Sequence, residues 1–202
     1  MASRQRSSSS PPNCRSTSRC SSERSDDADP PATADDAPRI AEVWEAAWRD
    51  GHVGNIPDEL LVHRGSASFR TRTSAMLDRT SVAEIDGLIV GFVTLTHDEV
   101  DQLMVDASAR GTGVAGALLS FGARRLIESG NGHPWLAVVT GNARARHFYE
   151  REGWRDAGHL DYEAPIDGGT VTVSCRRYEL IRDDITAEQH PEPPAAGTRG
   201  AG

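Results

Sequence analysis

The 202 residues leave room for one domain at about 100–200 residues each, and a net charge of −8 argues against a nucleic-acid binder, whose phosphate contacts need a basic face. Hydrophobic residues make up 37%, with the deficit at the two ends, so the middle is apolar and long enough to bury a core. No run approaches the roughly 18 apolar residues of a membrane span, and the N-terminus has no apolar signal region. A soluble, cytoplasmic protein with no membrane partner is expected. All 22 basic residues are arginine, a coding bias that fits a bacterial source.

In chain order, residues 1–31 are rich in Ser, Arg, Pro and Asp, nearly without large apolar side chains, and are expected to stay disordered because little burial offsets their ordering entropy. Thr33, Asp35, Asp36 and Pro38 signal a helix start. Ile40, Val43, Trp44, Ala47 and Trp48 then recur at helical spacing, and Gly51 is expected to end the helix. Pro57 to Leu61 opens a short helix, and Ser66 to Leu77 forms another. Thr80–Ile85 and Leu88–Thr96 read as a hairpin around Asp86-Gly87, with Val100–Val105 as a third strand. A helix over Gly111–Ile127 follows. Then come a strand over Trp135–Val139, a helix over Asn142–Arg151 closed by Gly153, and strands over Trp154–Tyr162 and Thr170–Leu180. Residues 183–202, with three prolines, are expected to form a second disordered tail. Residues 32–182 thus form one mixed-sheet α/β domain.

Three cysteines, Cys14, Cys20 and Cys175, match no zinc spacing, and no metal site is expected. The informative stretch is Arg110-Gly111-Thr112-Gly113-Val114-Ala115, between a strand and a helix. Unpaired N–H groups at a helix start carry positive potential, and glycine lets an anion come close. A Walker loop is excluded because it needs Lys. The spacing Gly111-x-Gly113-x-x-Gly116 fits a dinucleotide fingerprint, but no acidic residue follows at the end of a second parallel strand. A pyrophosphate cradle and a plain strand–helix turn both remain open on this motif alone.

Two blocks resemble the GNAT superfamily of N-acetyltransferases. Leu103-Met104-Val105-x4-Arg110-Gly111-Thr112-Gly113-Val114-Ala115 looks like its acyl-CoA pyrophosphate motif. Leu136-x-Val138-x3-Asn142-x2-Ala145-x2-Phe148-Tyr149-x3-Gly153-Trp154 looks like its following strand and helix. The resemblance implies a mixed, mostly antiparallel sheet whose two central strands splay apart around the pantetheine arm. It implies that acetyl-CoA is the co-substrate, with the arm along Leu103, Met104 and Val105 and the pyrophosphate on Gly111 to Ala115. Asn142 matches a position that contacts the arm or the second helix. Tyr149 matches the usual general acid. Glu99 matches a position where some members carry a catalytic base, with Asp101 on the same strand face as an alternative and water as a third. The implied reaction is direct acetyl transfer to a primary amine of a small molecule or peptide, by a monomer or homodimer. A catalytically silent acyl-CoA-binding module is the alternative.

His52, His63 and His97 share no ligand spacing and read as structural. Core packing rather than substrate stacking is expected for at least one of Trp44 and Trp48, and Cys175 is expected as a small buried strand residue. Arg144, Arg146 and Arg151 fit either the 3′-phosphate of CoA or a solvated helix face. Where the family begins with an apolar strand, this chain has Asp26-Asp27-Ala28-Asp29-Pro30-Pro31, so that strand is expected to be missing, non-native in sequence or reduced to an irregular edge.

Overall fold

The computed structural model describes residues 31–130 and 132–180. The tails expected to be disordered lie outside the described residues, apart from Pro31. Thr33 opens the fold. Its N–H and hydroxyl both donate to the Asp36 carboxylate, at 2.8 and 2.7 Å, and lead into helix α1, Ala37–His52. Helix α1 runs through Gly51 rather than stopping there. Gly51 is buried against Asn142, whose amide nitrogen would lie 2.9 Å from a Cβ at that position. The glycine serves close approach, and the left-handed turn falls at Gly54 (φ 82°).

Helices α2 (Asp58–Val62) and α3 (Ser66–Ser74) follow. Helix α3 stops short of the expected Leu77 because a 3₁₀ turn over Leu77–Arg79 takes over, closed by the Thr80 hydroxyl donating to the Met76 carbonyl at 2.7 Å. Strands β1 (Thr80–Ile85), β2 (Leu88–Thr96) and β3 (Glu99–Val105) form an antiparallel meander. Asp86 and Gly87 both take positive φ, 51° and 74°, as a two-residue hairpin turn matched to strand twist requires. The chain continues as α4 (Val114–Glu128), β4 (Trp135–Val139), α5 (Ala143–Arg151), β5 (Trp154–Ile166) and β6 (Gly169–Leu180). Strand β5 extends past the expected Tyr162 because Glu163, Ala164, Pro165 and Ile166 keep pairing with β6.

The six strands lie in the order β1-β2-β3-β4-β6-β5, and every neighbouring pair is antiparallel except β3–β4. Of the segment Asp26 to Pro31, where the family's first strand is expected, only Pro31 lies among the described residues. Pro31 bridges Ser81, and the Ala32 N–H donates to the Thr80 carbonyl at 2.9 Å.

Strand alternation sends side chains into two apolar layers. Phe92 and Val139 join α1, α2 and α3 on one face, around Trp44, Trp48, Leu60 and Phe69. Val93 and Val138 join α4 on the other, with Leu118, Leu119, Trp154 and Tyr178. On that second face α4 presses close to β2, where a Cβ at Gly122 would stand 3.1 Å from Leu95 and 3.2 Å from Val93. Phe69 is fully buried between the edges of Trp44 and Trp48, at 5.6 and 5.7 Å between ring centroids. Replacing Phe69 with Ala should therefore cost about 3–5 kcal/mol through lost burial and a residual cavity. Urea unfolding checks this: the midpoint should fall with little change in slope, and a loss below about 1 kcal/mol would show that the site is not packed as described.

Candidate active site

Strands β3 and β4 meet at one register position, Glu99 opposite Trp135, beside the Trp135 N–H donating to the Asp98 carbonyl at 3.1 Å. Beyond that point they diverge. A cleft of about 1140 Å³ opens between them, lined by Leu103, Met104 and Val105 on one side and Ala137 to Val139 on the other. Along this gap alternate β3 N–H and C=O groups face no strand, although a sheet interior normally pairs them.

The glycine turn closes the C-terminal end of β3. Gly111 and Gly113 hold φ of 81° and 94°, and the space where their Cβ atoms would stand is open. The first α4 bond runs from the Ala117 N–H to the Gly113 carbonyl at 3.0 Å, so the N–H groups of Val114, Ala115 and Gly116 precede the ladder. Helix α4 begins at Val114, later than the expected Gly111, because the two left-handed glycines cannot extend it. Gly111, Gly113 and Ala115 line the cleft. Thr112 and Val114 do not: the Thr112 hydroxyl donates to the Ala109 carbonyl at 2.7 Å, and Val114 packs on the α4 core.

Asp106 anchors the turn. Its carboxylate accepts from the Ser108 N–H at 2.9 Å and hydroxyl at 2.8 Å, and from Arg39 at 2.7 Å, which holds its pKa down at about 2. Arg110 lines the cleft but is ion-paired to Asp50 of α1 at 2.6 Å.

At the other end of β3 lies an acidic cluster. Thr94 pairs with Gln102 and Leu95 with Val100, so Asp101 is an extra, bulged residue. The bulge breaks the regular alternation assumed for Glu99 and Asp101. Val100 packs on the α4 side, yet so do Leu103 and Val105, while Met104 faces α1. Both carboxylates still line the cleft. Asp98 accepts from the Trp135 indole at 3.0 Å, and Asp101 from the Gln102 amide at 2.8 Å and the Thr96 hydroxyl at 3.3 Å. Glu99 has no such bond among the described residues. Desolvation first, then the charges of Asp101 and Asp98, push its carboxyl up to about 7, against the pull of Arg177.

Helix α5 supplies the third component. Asn142 is its N-cap, not a helical residue, and accepts from the Ala145 N–H at 3.1 Å. Arg146 and Glu150, one turn apart, clasp the buried Tyr178 hydroxyl at 3.3 and 2.8 Å and set the helix rotation. Tyr149 is thereby held in the cleft wall, its ring 5.2 Å from Phe148 and 5.9 Å from Tyr178. Burial pushes its phenol up to about 12. Arg146 is taken up by Tyr178 and Asp156, whereas Arg144 and Arg151 line the cleft.

With this geometry in place, the sequence matches the Acetyltransferase (GNAT) family over residues 39–154, more than half of the chain. The chain belongs to the GNAT acetyltransferase family. Solved structures share its fold. The ribosomal-protein-alanine N-acetyltransferase of Brucella melitensis is 18% identical with a TM-score of 0.57, covering 76% of this chain and 98% of that one. A GCN5-related N-acetyltransferase from Rhodopseudomonas palustris is 21% identical with a TM-score of 0.56, covering 73% and 92%. The PaiA N-acetyltransferase of Thermoplasma acidophilum, solved in complex with coenzyme A, is 17% identical with a TM-score of 0.53, covering 73% and 95%. No curated protein matches the chain. Among the described residues no group of three acidic, His or Cys side chains could hold a metal, and no helix is long and apolar enough to cross a membrane.

The GNAT cleft also holds residues that sequence reasoning missed or set aside. His52 stacks on Trp48 at 4.7 Å between ring centroids, its Nδ1 paired with the Trp48 carbonyl at 2.8 Å. Desolvation lowers its pKa, which favours the neutral ring. Arg64, Arg72 and Tyr162 also line the cleft, and no local pattern around them signals it. Trp44 is core, as expected, and Trp48 is buried but reaches the cleft wall. Cys175 is buried there with its thiol pushed up to about 11 by desolvation and by Glu99, which keeps it protonated and a poor nucleophile.

The raised Glu99 pKa fixes the sign of a stability effect. Between 4.5 and about 7 the folded protein binds the proton more tightly than the unfolded chain, so this group's contribution is full at low pH and is lost as pH rises through 7. Glu99→Gln should therefore gain thermal stability relative to the parent as pH goes from 5 to 8. Melting curves across that range check it, and a difference that is flat in pH would contradict the desolvated carboxylate.

Proposed function

We propose that the protein is an N-acetyltransferase that moves an acetyl group from acetyl-CoA to a primary amine by direct transfer. The observation that carries this reading is the conjunction of a single-point β3–β4 contact with a glycine-lined helix start at the far end of the same strand. The residues present fit the co-substrate. The free edge of Leu103 to Val105 suits the pantetheine amides, as an added strand would. The leading N–H groups of α4 and the open space over Gly111 and Gly113 suit a pyrophosphate. When bound, acetyl-CoA supplies an acetyl group already activated as a thioester.

Glu99 is the base. Among the neighbouring acids it is the one with no hydrogen bond to satisfy it, and a pKa near 7 lets it take a proton from an ammonium and still be ionised at working pH. A β3 N–H at the gap polarises the thioester carbonyl. The amine nitrogen forms its bond to the acetyl carbon as the carbon–sulfur bond breaks. Glu99 first passes the ammonium's proton to solvent and then takes one proton of the attacking amine. The Tyr149 phenol gives its proton to the leaving thiolate, and the proton on Glu99 returns to the phenolate through solvent, so one proton is released overall. At about 12 the phenol keeps that proton until a desolvated thiolate needs it. Arg110 is in place to meet the phosphates once it leaves Asp50.

Two measurements test this. Acetyl-CoA at about 100 times its Kd should add about 2.7 kcal/mol of stability, a melting shift of several degrees, and Gly113→Glu should abolish it. In a thiol-release assay over a panel of amines, kcat/KM should rise with pH through an apparent pKa near 7 and lose that limb in Glu99→Gln. Tyr149→Phe should lower kcat by about 10²–10⁴-fold with the thermal shift intact. A shift with no turnover on any amine would instead indicate an acyl-CoA-binding module, and no shift at all would remove the reading.

A further inference from the structure

The part of the cleft around Glu99 carries both signs of charge, held apart. Arg64 is only 4% exposed, an unusual place for a side chain that normally keeps its charged end in water. Its guanidinium is fixed by donating to the Pro165 carbonyl at 2.8 Å. Arg72 is fixed over the Trp44 ring, 4.6 Å from its centroid. Each lies within electrostatic reach of Tyr162, and Arg72 within reach of Asp101. Neither arginine belongs to an ion pair within the described residues, although both line the same cleft as Glu99 and Asp101. Two like charges brought together and desolvated, with only the longer-range pull of Asp167 on Arg64 and of Asp101 on Arg72 and no ion pair, are costly. A carboxylate from outside would offset that cost, and the planar guanidinium is the side chain suited to hold one.

Resting on the acetyltransfer reading above, we propose that Arg64 and Arg72 bind the carboxylate of the acceptor while its amine lies toward Glu99 and Asp101. The acceptors are then amino acids and similar small molecules that carry an amine and a carboxylate together. The cleft reads a dipolar molecule by placing cations and carboxylates on different walls: Arg64 just before α3, Arg72 on α3, and the acids on β3. An amine without the acid group leaves both guanidinium groups without an ion pair.

The test uses the full chain, radiolabelled acetyl-CoA and two pools: free amino acids and their C-terminal amides. Label should enter the free-acid pool at least about tenfold faster than the amide pool. In Arg72→Gln the ratio should fall toward one through loss on the acids, with the acetyl-CoA melting shift retained, and Arg72→Lys should recover part of it. Equal labelling of the two pools, or silence in the acid pool, overturns the proposal. So does an unchanged ratio in a folded Arg72→Gln. Succinyl-CoA with the amide pool is the second arm. Faster transfer than from acetyl-CoA would mean that the arginines hold a carboxylate of the donor, which also overturns it. If acetyl-CoA gives no melting shift on the intact chain, donor reading and acceptor reading fall together. A retained shift with equal pools removes the acceptor reading alone.

Discussion

The site depends on two parallel strands that meet once and then part. A sheet interior usually pairs every backbone group, because an unpaired buried N–H or C=O costs free energy. Here β3 is held on its other side by β2, and β4 by β6, so the gap between them is enforced by well-paired neighbours. The crossover helix α4 sits against β2 through Gly122 and cannot close the gap. The opening is therefore a property of the whole sheet and not of one loop.

The two ends of that gap are built from different physics. At the C-terminal end of β3 two left-handed glycines and the first turn of α4 present backbone N–H groups, and Asp106 ties the turn to α1 and β2. At the N-terminal end a bulge gathers carboxylates at the point where the strands still touch, and burial leaves Glu99 half-committed to its proton near pH 7. Helix α5, clamped through Tyr178, brings Tyr149 into the wall between α4 and β4. One end suits a diphosphate and the other a reacting amine, at a separation set by the length of β3.

Much of this is legible in the sequence where the cause is local. The Asp86-Gly87 turn, the apolar spacing of α1, the strand–glycine–helix step at Arg110 to Ala115 and the Asn142 to Tyr149 segment each carry short-range signals. The GNAT resemblance rests on the last two. What is not legible depends on contacts distant in the chain. Gly51 reads as a helix stop, and only the Asn142 side chain packed against it shows why the helix continues. The bulge at Asp101 is visible only against β2, so the facing of Glu99 and Asp101 could not follow from alternation. Arg64 and Arg72 look like ordinary surface arginines, because their burial is made by β5 and α1.

Amide hydrogen exchange with and without acetyl-CoA tests the central claim most directly. The account predicts added protection in two stretches, residues 103–105 on the free edge of β3 and residues 111–116 at the start of α4, with the β5–β6 hairpin unchanged. Protection confined to other segments, or none at saturating acetyl-CoA, would contradict the placement of the co-substrate between the splayed strands.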